Sequence, residues 1–172
     1  MKNRILVLIG MAGVGKSTIG KQIAKHLGRP FIDLDRVIED REGAPLQSLI
    51  DTKGEDYFIE LEGEVLEELI NDLDSEHVSA VVSPGGSIVY AEEAIAAVKT
   101  KVLFIYLEDK LESIKKRIPN LENRGIVGLN GRTLDEVFNE RVVLYESTAH
   151  RTYSLTGKAM AAIAQQIAKE ST

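Results

Sequence analysis

Apolar residues recur along this chain with two distinct periods. Short runs at 5–9, 31–33, 78–83, 102–107 and 153–155 read as strands, each bounded by polar or glycine-containing segments. Between them the apolar positions fall at helical spacing. Residues 17–27 place Ile19, Ile23, Ala24 and Leu27 on one face, and residues 54–73 carry the stripe Phe58, Leu61, Val65 and Leu69. Glu60, Glu64, Glu67, Glu68 and Asp72 decorate the other faces of that long helix and predict a solvated surface. Helical patterns also cover 134–147 and 158–169. Strands that alternate with helices predict an α/β fold, a parallel sheet wrapped by helices, in one domain spanning 1–172. In such a sheet ligands gather beyond the carboxyl ends of the strands, so the residues that end or follow strands carry the chemistry.

After the first strand comes Gly10-Met11-Ala12-Gly13-Val14-Gly15-Lys16-Ser17-Thr18, which completes the G-x-x-x-x-G-K-[ST] pattern between a strand and a helix. Its glycines let successive backbone N–H groups turn onto phosphate oxygens. Lys16 adds a positive charge for the β- and γ-phosphates, Ser17 offers a hydroxyl to Mg²⁺, and the helix that opens here aims its positive end at the same anion. The expected ligand is a nucleoside triphosphate.

The second strand ends in Phe31-Ile32-Asp33-Leu34-Asp35, and a two-residue period would put Asp33 and Asp35 on one side. One carboxylate can serve the Mg²⁺ shell while the other takes a hydrogen bond from a substrate hydroxyl. The alternative is that Asp35 caps a helix over 36–42. After the third strand, Ser83-Pro84-Gly85-Gly86-Ser87 is a turn open to a ligand or a plain strand exit. Residues 118–133, with Pro119, Gly125, Gly128 and Gly131, make a connection long enough to be a mobile lid; Arg117 precedes it and Arg124 lies within it.

Composition narrows the partners. The 172 residues are 44% hydrophobic and 28% charged, and they include no cysteine, which excludes disulfides and thiolate metal sites. No apolar run approaches the roughly 20 residues of a membrane helix. A net charge of −6 argues against nucleic acid. A cytoplasmic protein with small-molecule partners and no membrane association is expected. His26, His77 and His150 stand isolated, without metal-ligand spacing.

Taken in order, the phosphate loop, FIDLD, the 54–66 helix, SPGGS, the arginines at 117 and 124, and Glu140-Arg141-x-x-Leu144-Tyr145 resemble the shikimate kinase family over nearly the whole chain. The resemblance implies a nucleoside-monophosphate-kinase-like fold with a five-stranded parallel sheet, a lid, ATP as donor with Mg²⁺, and a small hydroxylated acceptor on a monomer. Carried over, Lys16 and Ser17 match the ATP and Mg²⁺ residues, and Asp33 the residue near the metal. Asp35 matches the one that binds substrate hydroxyls and orients the attacking oxygen. Arg117 matches an arginine near the base, Arg124 the lid arginine that reaches the phosphates, and Arg141 one of two arginines on the substrate carboxylate. Gly85, Gly86 and Ser87 stand in the substrate turn.

The chain departs from the family pattern mainly on the acceptor and lid side. F-R-x-x-E reads Phe58-Ile59-Glu60-Leu61-Glu62, so Ile59 replaces the second carboxylate-binding arginine. The third glycine of the turn is Ser87, the lid's R-P-L-L is Arg124-Gly125-Ile126-Val127, and E-R-x-P-L-Y has Val143 for proline. Losing one charge-assisted contact costs roughly 1.5–3 kcal/mol, and about 2–5 if a buried pair is broken, so shikimate affinity is expected to fall by one to three decades. A gluconate-type or nucleotide kinase on the same fold, and a non-catalytic ATP-binding regulatory relative, are the other readings. Retention of Asp35 and Arg124 favours catalysis.

Overall fold

A computed structural model of the protein describes residues 5–118 and 126–172. The strands are β1 (Ile5–Ile9), β2 (Phe31–Asp33), β3 (Ala80–Ser83), β4 (Val102–Glu108) and β5 (Arg151–Ser154). They form one sheet in the order β2-β3-β1-β4-β5, with every neighbouring pair parallel. The helices are α1 (Lys16–Leu27), α2 (Leu34–Glu42), α3 (Leu46–Lys53), α4 (Glu55–Ser75), α5 (Glu92–Val98), α6 (Leu111–Arg117), α7 (Leu134–Thr148) and α8 (Met160–Glu170).

The two-residue period of the strands sorts the core into two layers. Ile5, Val7 and Ile9 of β1 join Val82, Val102, Phe104 and Tyr106 against α2, α4 and α5, while Leu6 and Leu8 join Val81, Ile105 and Leu107 against α1 and α8. Both faces of β1 are fully buried, which is why it reads as an unbroken apolar run. Because all strands run the same way, the segments after β1, β2, β3 and β4 emerge along one edge of the sheet. The charged face predicted for α4 is solvated, and Arg41 of α2 bridges Glu64 at 2.6 Å and Glu68 at 2.7 Å, one helical turn apart. One glutamate of α4 breaks this pattern: Glu62 is fully buried.

Two sequence expectations change. β3 begins at Ala80 rather than at 78, and β5 covers Arg151–Ser154 rather than 153–155. His150 explains the second shift. Its Nδ1 accepts from Phe104 N–H at 3.0 Å, its own N–H donates to Phe104 O at 2.9 Å, and its ring stacks on Phe104, so pairing with β4 begins here. Among the described residues no helix is long and apolar enough to cross a membrane.

Candidate active site

Between β1 and α1 the chain turns through Gly15 at φ 114°, in the left-handed region that a side chain would strain, and Gly15 then opens α1 without a side-chain cap. The first amide groups of α1 therefore face the cavity beyond the sheet edge. That cavity, of about 490 Å³, is lined by Gly13, Lys16, Ser17, Asp33, Asp35 and Met160, among others. Ala12, Gly15 and Thr18 also reach it, whereas Met11 and Val14 turn their side chains into the core and Gly10 stands outside the lining. Lys16 Nζ donates to the Gly10 and Met11 carbonyls at 2.7 and 3.1 Å. Burial lowers its pKa to about 8, against the opposing pull of the Asp35 charge.

Asp33 and Asp35 meet in this cavity by a different geometry from the one their spacing predicts. The strand ends at Asp33, which caps α2 by accepting from Asp35 N–H at 3.2 Å, and Asp35 lies inside the first turn. Thus Asp33, not Asp35, is the cap. Burial and the neighbouring Asp33 charge raise the Asp35 pKa to about 6. A carboxylate poised near neutrality can take a proton from a hydroxyl and release it to water.

A smaller cavity of about 190 Å³ adjoins the first through Ala12, Asp35, Gly85 and Gly86. Phe58, Ile126 and Val127 give it apolar walls, and Arg141 its cation. Arg141 and Tyr145 are four residues apart on α7 and therefore share a face. Tyr145 donates to the Gly86 carbonyl at 2.7 Å and stacks on Tyr106, which fixes the turn after β3. Arg141, only 1% exposed, lies over the Tyr90 ring, donates Nη2 to the Val127 carbonyl at 2.7 Å, and keeps Nε unpartnered. A side chain on Gly86 would come within 2.9 Å of Arg141 Nη1. The same helix places Glu140 on Tyr90 at 2.6 Å and on Arg132 at 2.8 Å, while Val143 is 64% exposed, so the lost proline leaves the cavity untouched.

Ser87 does not simply intrude on this cavity. Its hydroxyl, 5% exposed, donates to Glu62 Oε2 at 2.6 Å. Burial raises the Glu62 carboxyl to about pKa 7, with the Ser87 hydrogen bond opposing. Glu62 had no role assigned from sequence; the terminal glutamate of Phe58-Ile59-Glu60-Leu61-Glu62 was its signal. Ile59 itself lines another cavity, of about 450 Å³, with Tyr90, Arg132 and Glu140, which shares Val127 with the smaller one.

The segment expected to be a lid is partly anchored. Ile126 and Val127 are buried, Gly128 N–H donates to Glu55 Oε1, and Asn130 Nδ2 to Glu55 Oε2, both at 3.0 Å. Arg124 lies outside the described residues. Arg117 ends α6, one residue before Ile118 of the larger cavity's lining, and pairs with the buried Asp109 that follows β4.

The family profile of shikimate kinase matches residues 12–172. The chain belongs to the shikimate kinase family. Curated shikimate kinases of Dehalococcoides mccartyi and Paracidovorax citrulli are 33% and 36% identical to it, over 97% and 95% of this chain and 92% and 89% of theirs. The solved shikimate kinase of Acinetobacter baumannii in complex with shikimate superposes with a TM-score of 0.84 at 28% identity, covering 96% of this chain and 91% of that one. A gluconokinase from Sinorhizobium meliloti, at 18% identity and a TM-score of 0.54, shares the fold alone. Membership makes this an ATP-dependent small-molecule kinase. The five-stranded parallel sheet and its flanking helices are those of the shikimate kinases.

Proposed function

We propose that this kinase phosphorylates shikimate itself, in a single domain acting as a cytoplasmic monomer. The observation that carries the reading is the junction of the two cavities at Asp35, Gly85 and Gly86, with phosphate-binding groups on one side and Arg141 on the other. Lys16 and the loop 10–18 hold the ATP phosphates, with Arg117 at the base and Arg124 brought over the γ-phosphate. Ser17 and Asp33 line the same cavity with hard oxygen atoms, one Asp33 oxygen being spent on the α2 cap, and this donor set fits Mg²⁺. The ion would supply charge neutralisation at the phosphates.

Asp35 orients the acceptor hydroxyl and takes its proton as that oxygen forms a bond to the γ-phosphorus and ADP leaves. Arg141 holds the acceptor carboxylate, its unpartnered Nε giving it a donor to spend. Gly85, Gly86 and Ser87 close the floor. Val143 is the exposed large hydrophobic residue among those described, which supports a monomer.

The test is product analysis. Incubation with Mg·ATP and shikimate, quinate, gluconate or nucleoside monophosphates, followed by phosphorus NMR, should yield a phosphate ester from shikimate. An ester formed only from gluconate or a nucleotide overturns this reading.

A further inference from the structure

The sequence holds no cysteine and no tryptophan, so methionine sulfur is its most readily oxidised side-chain atom. There are three methionines. Met1 lies outside the described residues, and Met11 is packed into the core at 2% exposure. Met160 differs from both. It opens α8, is only partly buried, and lines the larger cavity together with Gly13, Gly15, Lys16 and Ser17.

Its thioether packs directly on the phosphate loop. A side chain on Gly15 would stand 2.8 Å from Met160 Cε and 3.1 Å from Sδ, so the thioether takes the room that the glycine leaves and no Cβ would fit. Gly15 also precedes the first turn of α1, whose amide groups have no side-chain cap and face the same cavity. A thioether is a weak acceptor and leaves those donors free for phosphate oxygens. A sulfoxide is polar. Its oxygen carries partial negative charge and would compete with phosphate for the same amides.

We propose that Met160 is a reversible oxidation site through which a hydroperoxide lowers the affinity of this kinase for Mg·ATP. The sulfur lone pair attacks a peroxide oxygen, and the S–O bond forms as the O–O bond breaks and water or an alcohol leaves. Sulfur gives up two electrons and the peroxide takes them. A methionine sulfoxide reductase with a dithiol reverses the step, returning the thioether with a disulfide and water. Bound nucleotide covers the sulfur, so the unliganded enzyme is the sensitive form. This rests on the larger cavity being the nucleotide site.

The experiment treats the full chain with hydrogen peroxide, with and without a saturating non-hydrolysable ATP analogue and Mg²⁺. Peptide mass follows sulfoxide formation, and calorimetry follows affinity for the analogue. Met160 should gain one oxygen well before Met11, and the analogue should slow that gain. Affinity should fall about three- to tenfold, the size of one displaced hydrogen bond, and return on treatment with the reductase. Met160→Leu retains Met1 and Met11 and so isolates this sulfur: compared with its own untreated sample, it should keep its affinity through the same treatment. The proposal is overturned if Met160 is oxidised no faster than Met11 or is not protected by the analogue. It is equally overturned if oxidised Met160 leaves affinity unchanged, if reduction does not restore the loss, or if Met160→Leu shares it. An untreated chain that does not bind the analogue overturns the nucleotide site as well.

Discussion

Individual side chains carry the sharpest consequences. Lys16 is the cation of the loop and is almost fully buried, so Lys16→Ala should weaken Mg·ATP binding about ten- to a hundredfold by calorimetry. Undiminished affinity would mean that the loop does not hold the phosphates. Glu62 makes a prediction about stability. Its carboxyl keeps its proton up to about pH 7 in the folded protein but loses it near 4.5 when unfolded. The folded state therefore binds more protons across that window, and Glu62 costs stability as pH rises from about 4.5 to 7. Asp35 titrates in part of the same range, so the comparison must be made against Glu62→Gln: the variant should gain melting temperature relative to the parent between pH 4.5 and 7, by an amount that levels off above 7. A difference that does not vary with pH would contradict the buried, protonated carboxyl. Ile59→Arg should lower KM for shikimate with little effect on kcat. The gain should be about three- to tenfold, since Glu55, Glu60 and Glu140 line the same cavity and compete for the new charge. An unchanged KM would show that Val127 keeps position 59 out of reach.

At the level of elements, what was legible followed periodicity. The phosphate loop announced itself because strand, glycines, lysine and helix are contiguous, and the apolar runs located all five strands to within a few residues. The pairing of Asp33 with Asp35 was legible in outcome but not in geometry, because the point where a strand gives way to a helix depends on the cap that Asp33 forms. Glu62 was hidden among exposed glutamates of the same helix, marked only by its place at the end of the run from Phe58, and its partner Ser87 lies 25 residues away. The anchoring of 126–130 was equally invisible. Glu55 sits at the start of α4 and reaches across 73 residues to the Gly128 amide. Glu55→Ala should therefore accelerate hydrogen exchange over 126–131 while leaving the centre of α4 protected. Unchanged exchange there would show that the burial of Ile126 and Val127, with the bond to Arg141, suffices to hold the segment.

For the molecule as a whole, an all-parallel sheet assembles the site from three strand exits and one helix. The nucleotide loop, the α2 cap and the turn after β3 meet along one edge, and α7 reaches over that edge with Arg141. The sequence carried the family pattern through every one of these connections, and the fold arranges them as two joined cavities. The acceptor was harder to read. Position 59, the departure that bears most on it, lies outside the smaller cavity, and the Ser87 hydroxyl is taken up by a buried carboxyl. The account stands most directly on steady-state ADP release by the unmutated chain with saturating Mg·ATP, measured with and without shikimate. Shikimate should stimulate ADP release in a saturable way, with one phosphorylated shikimate formed per ADP. ADP release that shikimate does not stimulate, in a protein that binds ATP and is folded, would contradict it.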